Sequence, residues 1–182
     1  ICDYLTSEKL TPGITEISRK KKILDKVNFN MNLNEPSGLE EKDFEKVFIS
    51  NPKDTNNIFK ENYKFFKEVE DKYNINGVFI AAIAIHESGW GKSAIAMDKK
   101  NLFRAYDETP YESALTYENY GEGIDKVAKW LVSNYLNPSG TTLKTGEVAN
   151  GLYYNGANVT GVNVRYASDE NWNTKVFKIM EN

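Results

Sequence analysis

The feature that most restricts the fold is an uninterrupted apolar segment, residues 78–85, near the middle of the 182-residue chain. It holds no charged side chain, and its three alanines are small enough to let neighbouring helices approach closely. A membrane span needs about 20 apolar residues, so the segment is too short to cross a bilayer. A helix that is apolar on all sides is normally buried in a core. We therefore predict a central buried helix that ends at Ser88 and Gly89.

Hydrophobic periodicity predicts further helices around this segment. Ser37 and Glu40 have the spacing of a capping box and predict the start of a short helix. Helical spacing of apolar residues predicts a longer helix over residues 56–73 and another over residues 124–131. Ser168, followed by two acidic residues, predicts the cap of a last helix. The positions expected to face the core are Leu39, Phe44, Val47, Phe59, Tyr63, Phe66, Val69, Trp172, Val176 and Ile179.

Three segments lack helical periodicity. Residues 1–36 are polar and contain helix breakers, which predicts an extension wrapped around the domain. Residues 106–117 alternate tyrosines with polar residues around Pro110, which favours a short β-hairpin or an irregular lobe. Residues 138–161 are rich in Gly, Asn and Thr and predict a long surface loop. The predicted fold class is α+β, and mostly α.

Composition excludes several classes of function. The net charge of −3 and a pI near 5.4 argue against nucleic acid as a partner, because phosphate binding requires a concentrated basic surface. The basic run at residues 19–22 is interpreted as a solvated face. Cys2 and His86 are the only residues of their types, which excludes an internal disulfide and a Cys/His zinc site. The start Ile-Cys-Asp suggests a targeting segment that was removed or a cut from a larger protein.

The residue best placed for chemistry is Glu87, at the C-terminal end of the predicted central helix. A carboxyl group there loses hydration, which keeps it protonated near neutral pH, as a general acid requires. Helix context alone leaves a second interpretation open, in which Glu87 merely turns outward into solvent. His86 does not complete a metalloprotease motif, because Trp90 stands where the second histidine is required. Ser88 lacks a separate histidine to act as its base, which argues against a serine hydrolase.

The segments around Glu87 resemble a known family. The run Ala84-Ile85-His86-Glu87-Ser88-Gly89-Trp90-Gly91-Lys92-Ser93, then Asn101-Leu102-Phe103, is similar to the glucosaminidase domains of bacterial autolysins, glycoside hydrolase family 73. Tyr117, Tyr120 and the run from Gly161 to Asp169, followed by Trp172, continue the similarity. The resemblance covers about residues 57–180. It implies residues 53–182 as the glucosaminidase catalytic domain, with residues 1–52 as an N-terminal extension packed on it.

What the resemblance implies is a lysozyme-like fold, in which a small β-hairpin lobe faces the helical lobe across a sugar-binding groove. Such enzymes cleave the β-1,4 bond between N-acetylglucosamine and N-acetylmuramic acid in peptidoglycan. Glu87 then takes the place of the catalytic acid and Tyr166 that of an active-site tyrosine. Trp90, Asn101, Phe103 and Tyr117 match positions near the groove and are predicted to bind substrate. For Trp90, Asn101 and Phe103 the alternative is packing in the core.

One position departs from the family pattern. Relatives commonly have a glycine where this chain has Arg104, whose cation is predicted either to contact a carboxylate of the substrate or to point into solvent.

Glycosidases commonly use a second carboxylate. The sequence offers Asp107, Glu108, Glu112, Glu118 and Glu122, of which Glu112, in the predicted hairpin, is the first choice. A substrate-assisted route, in which the N-acetyl group attacks and Glu87 alone supplies the proton, stays open.

The expected partner is therefore the glycan strand of peptidoglycan, with no cofactor, no nucleic acid and no membrane involved. We expect a monomer that is secreted and associated with the cell wall. Two alternatives remain open: a lytic transglycosylase, which would form an anhydro sugar, and a wall-binding module without activity. The presence of Glu87 at the end of an apolar helix argues against the second.

Overall fold

The computed structural model describes residues 2, 5, 13–104 and 114–182. Within these ranges nine α-helices have both their ends: α1 Ile14–Lys26, α2 Glu41–Phe48, α3 Ile58–Asn62, α4 Lys64–Tyr73, α5 Gly77–Ser88, α6 Ala94–Lys99, α7 Tyr120–Asn134, α8 Val159–Tyr166 and α9 Trp172–Glu181. An isolated antiparallel bridge joins Thr142 to Val148. The prediction of a mostly helical fold is confirmed. The predicted hairpin lies outside the described residues, except for residues 114–117.

The predicted central helix is α5, and most of its length is buried, including all its residues from Phe79 to Ile85. Asn76 caps it, because its side-chain oxygen accepts hydrogen bonds from the N–H groups of Val78 and Phe79. Helices α4 and α9 pack directly against α5. Gly77 permits the close approach of α4, since a Cβ atom there would lie 2.7 Å from the carbonyl oxygen of Phe66. Helices α2 and α7 pack on α4, and α8 packs on α9.

The prediction that residues 1–36 lack regular structure is wrong for α1. One face of this helix reaches the core through Ile23, which is buried, and too few apolar residues mark that face for the periodicity to be visible. The interpretation of the basic run as a solvated face is wrong for Arg19, which pairs with Glu16 and Asp43, and for Lys20, which is buried. Only the rest of the run, residues 21–22, is exposed.

Residues after α1 are tied to the rest of the domain by backbone hydrogen bonds. Leu33, which is fully buried, donates its N–H to the carbonyl of Ala157 at 2.8 Å and accepts from the N–H of Asn76 at 2.9 Å. The segment therefore joins the start of α5 to the loop before α8. A division of the chain between residues 52 and 53 stays a prediction.

Three helix predictions need correction. The capping box of α2 is formed by Glu40 and Asp43, whereas the Ser37 hydroxyl accepts from the N–H of Leu39. The predicted helix at residues 56–73 is divided at Tyr63 into α3 and α4. Helix α9 begins at Trp172 after Asn171, not at Ser168. Cap spacing recurs by chance among polar residues, and tertiary contacts decide which candidate is used.

Two short helices were not predicted. The Ser93 side chain caps α6, and the Asn158 side chain caps α8 by accepting from the N–H of Gly161. Each helix has at most eight residues, too few for a clear apolar stripe. The predicted loop at residues 138–161 therefore ends three residues earlier, at Asn158. None of the helices in the described part of the chain has the length and apolar character needed to cross a membrane.

Glu70 links three parts of the fold through one carboxylate. Its side chain is fully buried, and Oε1 accepts from the N–H groups of Ser37 at 2.6 Å and Gly77 at 3.0 Å. Oε2 accepts from Lys67 at 3.1 Å. The carboxylate thereby holds the segment before α2 against the first residue of α5.

We expect replacement of Glu70 by alanine to lower the free energy of unfolding by roughly 2–4 kcal/mol, because two buried N–H groups lose their acceptor. Urea unfolding followed by circular dichroism measures the change. Glu70→Gln, which keeps an acceptor oxygen, should lose less. Asp71→Ala removes an exposed carboxylate from the same lysine and should cost less than about 0.5 kcal/mol. Equal losses in Glu70→Ala and Asp71→Ala would contradict the assignment.

Candidate active site

Glu87 lies in the last turn of α5, and its side chain is half-buried. The helix stops immediately afterwards because Gly89 adopts a left-handed conformation, with φ 56° and ψ 53°. A buried helix that ends at this point brings a carboxyl group from the core toward the surface.

The turn after Glu87 is unusual, because three consecutive residues have positive φ: Gly89, Trp90 at 60° and Gly91 at 76°. A non-glycine residue rarely adopts this conformation, and such strain is concentrated at functional sites. Ser88 holds the turn in place, because its hydroxyl donates to the Ala84 carbonyl and accepts from the N–H of Gly91. The Ser88 side chain is thus used in backbone hydrogen bonds and is fully buried.

Trp172, the first residue of α9, contacts the Glu87 carboxyl group directly. Its indole Nε1–H donates to Oε1 of Glu87 at 3.0 Å, and the ring is 1% exposed. The helical stripe of the last helix predicts only a core position for Trp172. A buried indole N–H normally has an acceptor, and this requirement is the one signal in the sequence that indicates a polar partner for Trp172.

The start of α9 is held by Asn163 of α8. The Asn163 side-chain amide donates to the carbonyl of Asp169 at 3.0 Å, and its oxygen accepts from the N–H of Asn173 at 2.9 Å. Trp172 lies between these two bonded positions. Asn163 therefore helps to fix the indole that contacts Glu87, through a side chain that is itself buried.

Tyr166, the predicted active-site tyrosine, lies beside the same indole. It ends α8, and its ring centroid is 5.1 Å from that of Trp172. Its side chain is half-buried. Tyr166 and Glu87 therefore both contact the Trp172 indole, although 79 positions separate them in the chain.

The contacts of Trp90 are with the core. Its ring centroid lies 6.2 Å from that of Phe48 and 5.4 Å from that of Phe59. It also lines a mostly apolar cavity of about 190 Å³ with Ile85 and Ile179. These contacts match the packing alternative given for Trp90.

Asn101, Phe103 and Tyr117 are all buried. Asn101 donates to the carbonyl of Leu115 at 3.0 Å and accepts from the N–H of Phe103 at 3.1 Å, so its amide supports two backbone segments. The N–H of Tyr117 donates to the Lys99 carbonyl.

Arg104, in contrast, is exposed and has a φ of 53°. A positive φ is the conformation that a glycine would adopt freely, which explains why glycine is common at this position in the family pattern.

Of the five candidates for a second carboxylate, Asp107, Glu108 and Glu112 lie outside the described residues. Glu118 is exposed. Both oxygens of Glu122 are occupied, one by the N–H of Glu118 at 2.7 Å and the other by Lys126 at 2.8 Å. Lys126, followed by the Glu118 N–H, lowers the pKa of Glu122. Glu122 therefore has a structural role at the start of α7.

Among the described residues, no group of three or more His, Cys, Asp and Glu side chains is arranged to hold a metal ion. His86 is half-buried beside Glu87 in the chain.

Comparison with known proteins places this site in a family. The family model described as Glucosaminidase, mannosyl-glycoprotein endo-beta-N-acetylglucosaminidase, matches residues 63–182. Two proteins from strains of Streptococcus pneumoniae, each named "Putative endo-beta-N-acetylglucosaminidase", are 40% identical to the chain over 117 residues. The match covers 63% of this chain but only 16% and 15% of those proteins. The chain thus spans about a sixth of their length.

Solved structures with the same fold include autolysin E of Staphylococcus aureus. Its complex with the muropeptide NAM-L-Ala-D-iGlu has a TM-score of 0.57 and 20% identity, and the match covers 89% of this chain and 76% of that one. A catalytic mutant of autolysin E in complex with the disaccharide NAG-NAM has a TM-score of 0.56, with the same identity and coverage. At this identity the likeness establishes the fold.

The ring of Tyr135 packs against that of Tyr166, and its ionisation is expected to make the stability of the protein depend on pH. Burial, helped by Tyr153, raises the pKa of Tyr135 to about 12, above the value of about 10 expected in the unfolded chain. The neutral form is therefore favoured by folding, so its contribution to stability is complete below about pH 10 and is lost as the pH rises through 12. Tyrosinate absorbance should show a late ionisation step that Tyr135→Phe removes. Ionisation of Tyr135 together with the exposed tyrosines would contradict this prediction.

Proposed function

Because the chain belongs to the glucosaminidase family, whose model matches residues 63–182, we propose that it is an endo-β-N-acetylglucosaminidase of peptidoglycan. The bond it hydrolyses is the β-1,4 linkage between N-acetylglucosamine and N-acetylmuramic acid. The observation that carries the proposal is the Glu87 carboxyl group, presented at the end of the buried helix α5 and hydrogen-bonded to the buried indole of Trp172. The names of the pneumococcal relatives and the sugars bound by autolysin E support the same substrate class.

In this proposal Glu87 donates a proton to the glycosidic oxygen as the bond breaks. The indole N–H donates to Oε1, so a lone pair on Oε1 is used and the proton of the neutral acid is carried by Oε2. After the proton has left, the same hydrogen bond stabilises the carboxylate. Trp172 thus selects the reactive oxygen and favours the product of proton transfer. It acts through Glu87 and is a positioning residue.

The remaining predicted residues divide by their contacts. Tyr166 is proposed to hold the substrate, which agrees with its half-buried ring beside Trp172. Arg104 is exposed and is proposed to contact a carboxylate of the substrate. Asn101, Phe103 and Tyr117 are buried. We propose that they pack behind the wall of the sugar-binding groove and support it. Trp90 is proposed to stabilise the turn that follows Glu87.

The facing lobe and the second carboxylate complete the proposal. Residues 106–117 are proposed to form the hairpin lobe of a lysozyme-like fold, with Glu112 as the second carboxylate. Substrate assistance by the N-acetyl group is the alternative, and it requires Glu87 alone. Action on peptidoglycan requires that the protein reach the wall, so we propose that it works outside the cell. A monomer is sufficient for this mechanism.

Replacing Glu87 by glutamine is expected to lower hydrolysis of purified bacterial cell walls by at least about 10²-fold, because the amide donates no proton to the leaving oxygen. Release of reducing ends measures the rate. Mass spectrometry of the products distinguishes hydrolysis from formation of an anhydro sugar. Near-normal activity of Glu87→Gln would contradict the proposal.

Two matched variants complete this test. Glu122→Gln makes the same change at a carboxylate that is already occupied and should leave the activity unchanged. Glu112→Gln separates the two mechanisms: a large loss supports a second carboxylate, and near-normal activity supports substrate assistance.

The role of Trp172 is tested by its replacement with β-(3-benzothienyl)alanine, which keeps the ring shape but has sulfur in place of the N–H. We expect kcat to fall by about 10- to 100-fold, since hydrogen bonds to charged groups contribute about 1.5–3 kcal/mol, with little change in KM. Phe79→Leu disturbs the packing against Trp172 without removing the N–H. If it reproduces the fall in kcat with KM unchanged, the role of Trp172 is only structural.

A further inference from the structure

Aromatic rings continue from Trp172 to the protein surface. The ring of Tyr166 lies 5.1 Å from Trp172 and 6.4 Å from Trp130, and Trp130 lies 6.5 Å from Tyr153. Trp130 is 42% exposed, and Tyr153 and Tyr166 are half-buried. We call the three rings of Trp130, Tyr153 and Tyr166 the aromatic platform. It begins next to the indole that contacts Glu87 and leads away from it.

The platform is held rigidly from below. Tyr135 is 3% exposed, and its ring centroid lies within 5.7 Å of those of all three platform rings. The segment that carries Tyr153 is fixed to the end of α7, because the N–H of Tyr153 donates to Asn134 and the N–H of Gly151 donates to Ser133, both at 2.8 Å. Few loops or side chains have to become ordered when a ligand binds there, so the entropic cost of binding is small.

The chemistry of the platform fits one kind of ligand. A pyranose ring has an apolar C–H face and a rim of polar groups, so its stacking on an exposed indole removes apolar surface from water while the rim stays hydrated. Arg165 adds a permanent positive charge, since its guanidinium lies 5.7 Å from the centre of the Tyr153 ring. Arginine pairs well with carboxylates, which the peptide stems of peptidoglycan carry.

We infer that the aromatic platform binds a sugar of the glycan strand beyond the two sugars at the cleaved bond, and that Arg165 pairs with a peptide-stem carboxylate. The inference rests on the proposed function, because it extends the same substrate outward from Glu87. Two observations favour glycan as the occupant. The rings are continuous with the candidate active site, and Arg165 gives the platform a charge complementary to the stems.

Trp130→Ala tests the inference in the full chain. On long glycan strands KM should rise about tenfold, as expected when an anchoring aromatic residue is removed from an interface, whereas kcat should stay within about twofold. Disaccharide-length substrates that do not reach Trp130 should be cleaved as before. Trp130→Tyr should restore most of the affinity. Ile49→Ala, a change at a similarly exposed residue, serves as the control.

Arg165→Gln tests the charge separately. Its KM should rise on strands that keep their peptide stems and stay unchanged on strands from which an amidase has removed the stems. An equal rise on both kinds of strand would overturn the pairing with a carboxylate.

Binding measurements distinguish failure of this inference from failure of the proposed function. Glu87→Gln should bind chitohexaose in calorimetry, and the double variant with Trp130→Ala should bind it about tenfold more weakly. Equal affinities would overturn the inference even if the wild type cleaves walls normally. If the wild type cleaves no glycan, the proposed function fails whatever the affinities are. Conversion of a wild-type dimer to a monomer by Trp130→Ala, seen by light scattering, would identify the platform as a self-association surface and overturn the inference.

Discussion

The burial of α5 is the constraint on which the rest of the structure depends. Almost every side chain from Phe79 to Ile85 is removed from solvent, so this helix is stable only when other elements surround it. Helices α4 and α9 provide two of the surrounding surfaces. Because α5 cannot shift without exposing apolar area, the residue at its end, Glu87, has a fixed position.

Two polar contacts make this arrangement specific. At the start of α5, the Glu70 carboxylate bonds the N–H of Gly77 and that of Ser37. Near its end, the Trp172 indole bonds the Glu87 carboxyl group. Both contacts are buried or partly buried, where a missing partner costs more than it would in water. The first aligns the helix with the segment before α2, and the second couples its end to α8 and α9.

The carboxyl groups found at the two ends of α5 differ in how far protein donors occupy them. Glu70 has both oxygens occupied by protein donors, so it has no capacity left for chemistry. Glu87 accepts the indole N–H on Oε1 and is only half-buried. A carboxyl group that is oriented yet reachable is what proton donation to a substrate requires. The aromatic rings that lead away from Trp172 extend the same site along the surface.

The sequence by itself determined the central helix, the helical character of the chain and the position of Glu87 within them. These depend on local patterns: an apolar run, periodic apolar stripes and a motif of consecutive residues. The tertiary structure decided which caps are used, that residues 14–26 form a helix, and which side chains meet. Trp172 and Glu87 are 85 positions apart, and Trp130, Tyr153 and Tyr166 come from α7, the loop after it and α8. No local pattern encodes such contacts, because they arise only when the helices pack together.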